Sequence, residues 1–201
     1  PVATGMAFAA KYRKEDKVIL CSMGEGTVHQ GAFHESLNLA KLWRLPVIYM
    51  IENNRYGMGT PLERASAVWD LSEKACSYDM ARATVDGMDV LAVHDVVAEA
   101  IVRATRDGEP TLIEARTYRF RGHSMSDPVH SHYRTKEEVE EQKRQDPILI
   151  FQQKLIDDKI LTPEKVKEYE DEIKKIVLDA VDFAEKSPLP ALEELYTEIY
   201  S

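Results

Sequence analysis

Two strand-end signatures carry the residues best suited to chemistry. Gly24-Glu25-Gly26 closes the apolar run at 17–23, and Asn53-Asn54 closes the β-branched run at 47–51. A carboxylate and an amide oxygen are hard donors, which Mg²⁺ favours. That ion takes few ligands from protein and leaves the rest to water and phosphate. The glycines let backbone approach a phosphate, and a helix starting near 27–30 offers free N–H groups to an anion. Glu25 and Asn54 together therefore could hold a magnesium-bound diphosphate. GxG at a strand end and Asn-Asn after a strand also fit ordinary turns. A dinucleotide site, with Glu52 on a ribose hydroxyl, is a second reading. It requires glycine at position 29, which is His29, and the next glycine is Gly31.

A second cluster lies at 119–134: Arg119, Arg121, His123, Ser124, Ser126, Asp127, His130, His132, Tyr133 and Arg134. Arginines beside histidine suit a grip on phosphate or carboxylate, because both donate hydrogen bonds to anions. The three histidines have no cysteine among them and no zinc-finger spacing. Cys21 fits a core role, Trp43 and Trp69 fit packing or interface roles, and Cys76 has no neighbouring His or cation to activate it.

The elements that position these groups follow from periodicity. Apolar strands at 17–23 and 47–51 flank a helix over about 29–43, with Phe33, Leu37, Ala40 and Leu42 assigned to its inner side; this is a βαβ unit. Both strands are apolar throughout, as in parallel strands covered on two faces. A helix near 72–79, a strand near 82–86, a helix at 90–107 and a strand at 111–118 continue the alternation. The predicted class is α/β with a mainly parallel sheet and flanking helices. A right-handed crossover brings the ends of the first two strands side by side or one strand apart. Residues 119–134 lack periodicity and read as a long functional loop. Beyond them Val166, Tyr169, Ile173, Ile176, Val177, Ala180, Val181 and Ala184 recur at helical spacing, predicting a helical tail.

Composition narrows the function classes. The chain has 201 residues, 44% hydrophobic and 30% charged, with a net charge of −9. That is sufficient for one core. A pI near 5.2 argues against broad nucleic-acid binding. No run approaches the ~18 apolar residues of a membrane span. Two cysteines form no disulfide framework, which fits a reducing compartment. Residues 135–201 hold 10 Lys+Arg against 18 Asp+Glu, so the acidity belongs to the tail. The first residue is Pro1, and the chain opens on what reads as a helix already under way, so a segment upstream is expected.

Taken in order, the motifs resemble the E1 alpha subunits of thiamine-diphosphate-dependent 2-oxo acid dehydrogenases. They are Gly24-Glu25-Gly26, Gln30-Gly31, Glu35, Asn38, Ala40, Leu45-Pro46, and Glu52 through Thr60. Val85-Asp86-Gly87-Met88-Asp89, Thr117-Tyr118-Arg119, Gly122 through Pro128 and Tyr133-Arg134-Thr135 follow, and the likeness runs through Leu192-Glu193-Glu194-Leu195. The resemblance implies a thiamine diphosphate-binding α/β domain over 1–134, ending in an active-site loop at 119–134, and a helical extension over 135–201. It implies that Glu25 and Asn54 ligate Mg²⁺ through side chains and Tyr56 through its carbonyl, with the Gly26 and Thr27 amides at the diphosphate. His123 is the implied catalytic residue, at the cofactor near the reacting carbon. Ser124 resembles the serine whose phosphorylation inactivates mitochondrial members, where a phosphate adds about −1.5 to −2 charge. Arg119, Asp127, Tyr133 and Arg134 are expected to order the loop and its docking surface.

The implied activity is oxidative decarboxylation of pyruvate with acyl transfer to the lipoyl domain of E2, in a heterotetramer with an E1 beta subunit. The implied compartment is the cytoplasm in bacteria or the mitochondrial matrix in eukaryotes. Glu25 stands where pyruvate-type members usually carry Asp and branched-chain members carry Glu, whereas the motifs at 54–59 and 122–128 are pyruvate-like or acetoin-like. Acetoin and branched-chain 2-oxo acid subunits are therefore alternatives, as is a non-catalytic interaction fragment. Family chains carry further cofactor contacts before the equivalent of Pro1, so this polypeptide is expected to hold part of a site and to be inactive by itself.

Overall fold

The β-branched and aromatic run at 47–51 forms the core of strand β2 (Val47–Asn53), in a four-stranded sheet with β1 (Ile19–Gly24), β5 (Ala81–Asp86) and β6 (Thr111–Arg116). The computed structural model describes residues 1–127 and 135–197. All pairings are parallel, in the order β1-β2-β6-β5, as the alternation of elements predicts. Strand β6 lies between β2 and β5, so the chain returns to the middle of the sheet after passing its edge.

Alternation along β2 feeds two cores. Val47, Tyr49 and Ile51 pack with Ala7 of helix α1 (Val2–Tyr12), with Phe33, Leu37 and Ala40 of α2 (Gly31–Leu42), and with Leu71 and Ala75. Ile48 faces the other way, against Ile113 and Ala100 of α4 (Val90–Asp107). Each fully buried aliphatic side chain contributes about 1.5–3 kcal/mol. Tyr49 buries its ring and keeps its hydroxyl paired, 2.7 Å from Thr4 Oγ1 and donating to the Ser36 carbonyl at 3.3 Å. Burial pushes its pKa up to about 12 against the lowering effect of the Thr4 hydrogen bond.

Helix α4 has the start and stop its sequence encodes. Asp89 accepts from the Leu91 and Ala92 amides, and Gly108 ends the helix at φ 64°, a conformation that favours glycine. The segment near 72–79 is a 3₁₀ helix, Leu71–Tyr78, capped by Asp70. The helix expected from 29 splits into a 3₁₀ turn, Glu25–His29, and α2, with Gln30 extended between them. The segment after Arg55, irregular by sequence, folds into a hairpin of β3 (Tyr56–Gly57) and β4 (Thr60–Pro61) followed by the short helix α3 (Leu62–Ala65).

Two packing expectations are corrected. Leu42 is 68% exposed, because at 100° per residue it falls opposite Phe33, Leu37 and Ala40. Strand β1 is not covered on both faces: it is an edge strand with alternating burial, and Leu20 is 54% exposed on the face that α4 leaves open.

The chain divides into two compact units, Pro1–Phe151 and Gln152–Ser201. Composition draws a boundary at 134/135, but α5 (Lys136–Lys143) belongs with the first unit. Its Val139 is fully buried, and Tyr118 donates to Glu138 at 3.1 Å. Helix α6 (Pro147–Asp157) crosses the division. In the second unit the expected long helix is α7 (Pro163–Lys186), capped by Thr162 with Pro163 in its first turn. Its apolar positions keep helical spacing, yet none is buried; Ile173, Ile176, Val177 and Val181 are all exposed. Among the described residues no helix is long and apolar enough to cross a membrane.

Candidate functional site

Parallel strands bring their carboxyl ends to one rim, and β1 and β2 are direct neighbours there, with Gly24 in register with Glu52. Glu25 opens the 3₁₀ turn after β1 and is 3% exposed. Asn54 follows β2 and donates from Nδ2 to Glu25 Oε2 at 3.3 Å. Its own carbonyl oxygen, Oδ1, is buried without a hydrogen-bond partner among the described residues. Leaving a buried acceptor unsatisfied costs about 1–3 kcal/mol, so the atom calls for a donor or a cation. A carboxylate and an amide oxygen are hard donors of the kind Mg²⁺ accepts.

The hairpin completes this corner. Gly57 lies against Glu25 and Gly26: a Cβ placed there would stand 3.9 Å from Glu25 Oε1 and from Gly26 Cα. Arg55 and Met58 flank Tyr56 and Gly57 in the left-handed region, at φ 66° and 58°. Asn53 fixes the entry to this turn. Its Oδ1 accepts from the Arg55 amide at 2.9 Å, and its carbonyl accepts from the Thr117 amide at 2.9 Å. A cleft of about 360 Å³ opens at the same rim, lined by Asn54, Arg55, Tyr56, Asp86, Thr117 and Tyr118 among others.

Arg119 links the loop to the hairpin. Its guanidinium donates to the Met58 carbonyl at 2.7 Å and reaches the Tyr56 carbonyl at 3.5 Å, while Nε donates to the Arg121 carbonyl at 3.2 Å. The same guanidinium stands 3.5 Å from His123 Nδ1. The loop curls tightly beyond this point. The His123 amide donates to Asp127 Oδ2 at 2.7 Å, and Ser124 Oγ lies 2.9 Å from Ser126 Oγ. His123, Ser124 and Ser126 are exposed.

The structure thus brings together Glu25, Asn54 and the Gly26–Gly57 contact, and joins Tyr56 to His123 through Arg119. Thr27 is half-buried in the turn that Glu25 opens. Tyr133 and Arg134, with His130, Ser131 and His132, lie outside the described residues. Glu52, the ribose ligand of the dinucleotide reading, is exposed and accepts a hydrogen bond from the Ser22 hydroxyl. No group of three or more His, Cys, Asp or Glu side chains is placed to hold a metal among the described residues. Cys21 is half-buried and Cys76 exposed, both free thiols.

Sequence reasoning missed a polar cluster beneath the rim. Glu114 of β6 is fully buried, and Asn53 is 3% exposed beside it. The signal was a carboxylate inside an otherwise apolar central strand, Thr111–Arg116, where an ionised group needs partners. Asp70, at the edge of this cluster, has its pKa lowered: burial opposes the charged form, but hydrogen bonds from the Ser72 hydroxyl and amide and the Arg116 charge outweigh it.

Comparison with known proteins places this arrangement. Residues 1–193 match the family described as "Dehydrogenase E1 component". The chain is 44% identical over 200 residues to the pyruvate dehydrogenase E1 component subunit alpha of Rickettsia felis, covering 100% of this chain and 61% of that one. It is 45% identical over 199 residues to the subunit of that name from Rhizobium meliloti, covering 98% and 57%. It is 42% identical over 202 residues to the somatic mitochondrial form from Homo sapiens, covering 100% and 51%. The chain spans about 61% of the first of these relatives. The match over residues 1–193, nearly the whole chain, makes this chain a member of the dehydrogenase E1 component family.

Proposed function

We propose that this chain belongs to a pyruvate dehydrogenase E1 alpha subunit and supplies the magnesium and diphosphate part of a thiamine diphosphate site. The observation that carries the reading is that Asn54, whose buried Oδ1 has no partner among the described residues, lies against the Glu25 carboxylate. Glu25, Asn54 and the Tyr56 carbonyl would hold Mg²⁺. Gly26 and Thr27, opening the 3₁₀ turn, would offer main-chain amides to the diphosphate. Bound thiamine diphosphate supplies the carbon nucleophile and electron sink that decarboxylation of a 2-oxo acid requires.

The chain's own residues then bind and orient. His123, with Nδ1 turned to Arg119, would offer its other ring nitrogen for a hydrogen bond to an oxygen of the substrate. Arg119 holds the His123 loop against the carbonyls of the hairpin that carries Tyr56. Asp127 braces the His123 backbone, on a loop that would face a lipoyl domain of E2. A phosphate on exposed Ser124 would bring negative charge beside the diphosphate and oppose cofactor binding. An E1 beta subunit completes the site in a heterotetramer, in the cytoplasm of a bacterial cell or in the mitochondrial matrix; the relatives named above include both kinds.

Glu25 favours a second reading, a branched-chain subunit, and the hairpin and loop motifs also admit an acetoin subunit. Substrate profiling of the assembled subunits decides among them. Calorimetry of the full subunit with its partner, thiamine diphosphate and Mg²⁺ tests the whole proposal. Saturable binding that needs the metal is expected; no heat of binding would leave a non-catalytic interaction role.

A further inference from the structure

We infer that Glu114 is a positioning residue that sets the orientation of Asn54 through Asn53; the inference rests on the metal-site reading above. Glu114 lies on β6 in register with Ile51, while Asn53 ends β2 in register with Arg116, so both side chains belong to one face of the sheet. Glu114 is fully buried, and its carboxylate accepts from Asn53 Nδ2 at 2.7 Å and from the Ser72 amide at 3.3 Å, with Arg116 Nε as an ion-pair partner at 3.5 Å. A buried carboxylate is retained where such partners satisfy it.

The direction of these bonds matters. The Arg55 amide needs an acceptor and finds Asn53 Oδ1, which turns Nδ2 of the same amide toward Glu114. Only an acceptor at position 114 is compatible with that orientation. Asn53 is therefore clamped from both ends, and the turn it closes holds Arg55 at φ 66°. Asn54 sits between the clamped residue and the left-handed one, so its side chain inherits the aim of this turn toward Glu25. Glu114 is not among the residues that line the cleft, and its link to the turn that carries Asn54 is the hydrogen bond from Asn53.

A polarity swap tests the relation in the full subunit assembled with its partner, with Mn²⁺ uptake in the presence of thiamine diphosphate read by electron paramagnetic resonance. Asn53→Asp sets two carboxylates face to face and is expected to weaken Mn²⁺ binding about 10- to 100-fold, the range for outer groups that orient ligands. Adding Glu114→Gln supplies a donor to Asp at 53 and is expected to bring affinity back to within about 3-fold of wild type, since the same bond reforms with reversed polarity. A purely structural role would move melting temperature without this reciprocal rescue. Wild-type Mn²⁺ affinity in folded Asn53→Asp, or a double variant no better than the single one, overturns the inference. Asn54→Ala is the control: if it loses Mn²⁺ while Asn53→Asp does not, the inference fails and the site reading stands. If wild type takes up no Mn²⁺, the site reading fails and this inference with it.

Discussion

Asn54 donates its amide N–H to Glu25 at 3.3 Å while its amide oxygen, buried in the same corner, has no partner among the described residues. Turning the amide over would bring that oxygen to the carboxylate, giving a cation two hard oxygens from different residues. A single cation there would relieve the orphaned acceptor and neutralise the carboxylate at once.

Removing either oxygen should show directly. Asn54→Ala and Glu25→Gln are each expected to weaken Mg²⁺-dependent thiamine diphosphate binding at least about 10-fold, read by calorimetry on the assembled subunits. Unchanged affinity in Glu25→Gln would refute the metal assignment.

The loop should depend on Gly122. A Cβ there would meet the Asp127 carbonyl oxygen at 1.9 Å, so Gly122→Ala must open the curl and with it the bond from the His123 amide to Asp127. Turnover of the assembled enzyme is expected to fall about 10-fold or more. Because the loop is exposed, the melting temperature should stay within about 2 °C of wild type. A large fall in stability with normal turnover would contradict this account.

Arg119 ties that loop to the hairpin through the Met58 carbonyl at 2.7 Å. Arg119→Ala removes a charge-assisted hydrogen bond worth about 1.5–3 kcal/mol, so tryptic cleavage after Arg121 should become roughly 10-fold faster. Equal cleavage rates would show that the loop is held by other contacts.

Tyr49 makes a pH prediction. Its folded pKa is raised to about 12 from an ordinary value near 10, so the folded protein keeps the phenol proton when the unfolded chain releases it. Its contribution is fully present below pH ~10 and is lost as pH rises through ~12, at up to about 1.4 kcal/mol per pH unit. Denaturant melts should show this extra loss in wild type and not in Tyr49→Phe. Equal slopes for the two proteins between pH 10 and 12 would count against it.

Local features of the fold were legible because their causes are local. Asp89 and Gly108 bracket α4 by capping chemistry, and the apolar runs at 17–23 and 47–51 became adjacent strands ending at Glu25 and Asn54. What stayed hidden depends on topology. Leu20 is exposed only because β1 lies at the edge of the sheet, and Glu114 meets Asn53 only because β6 inserts beside β2. Arg119 read as a loop-ordering residue, but the carbonyls it grips lie 61 and 63 positions away, on a hairpin that no periodicity announces.

The adjacency of β1 and β2 also limits how the site can vary. Neighbouring strands stand about 4.8 Å apart, a distance set by main-chain hydrogen bonds and indifferent to loop length. Glu25 and Asn54 are thus the jaws of a caliper whose opening the sheet has already chosen. Insertions in the hairpin or the 3₁₀ turn can reshape the surroundings without widening that gap. Reach can change only through the side chains, and Glu in place of Asp at position 25 adds one methylene, moving the grip outward from the sheet instead of spreading it.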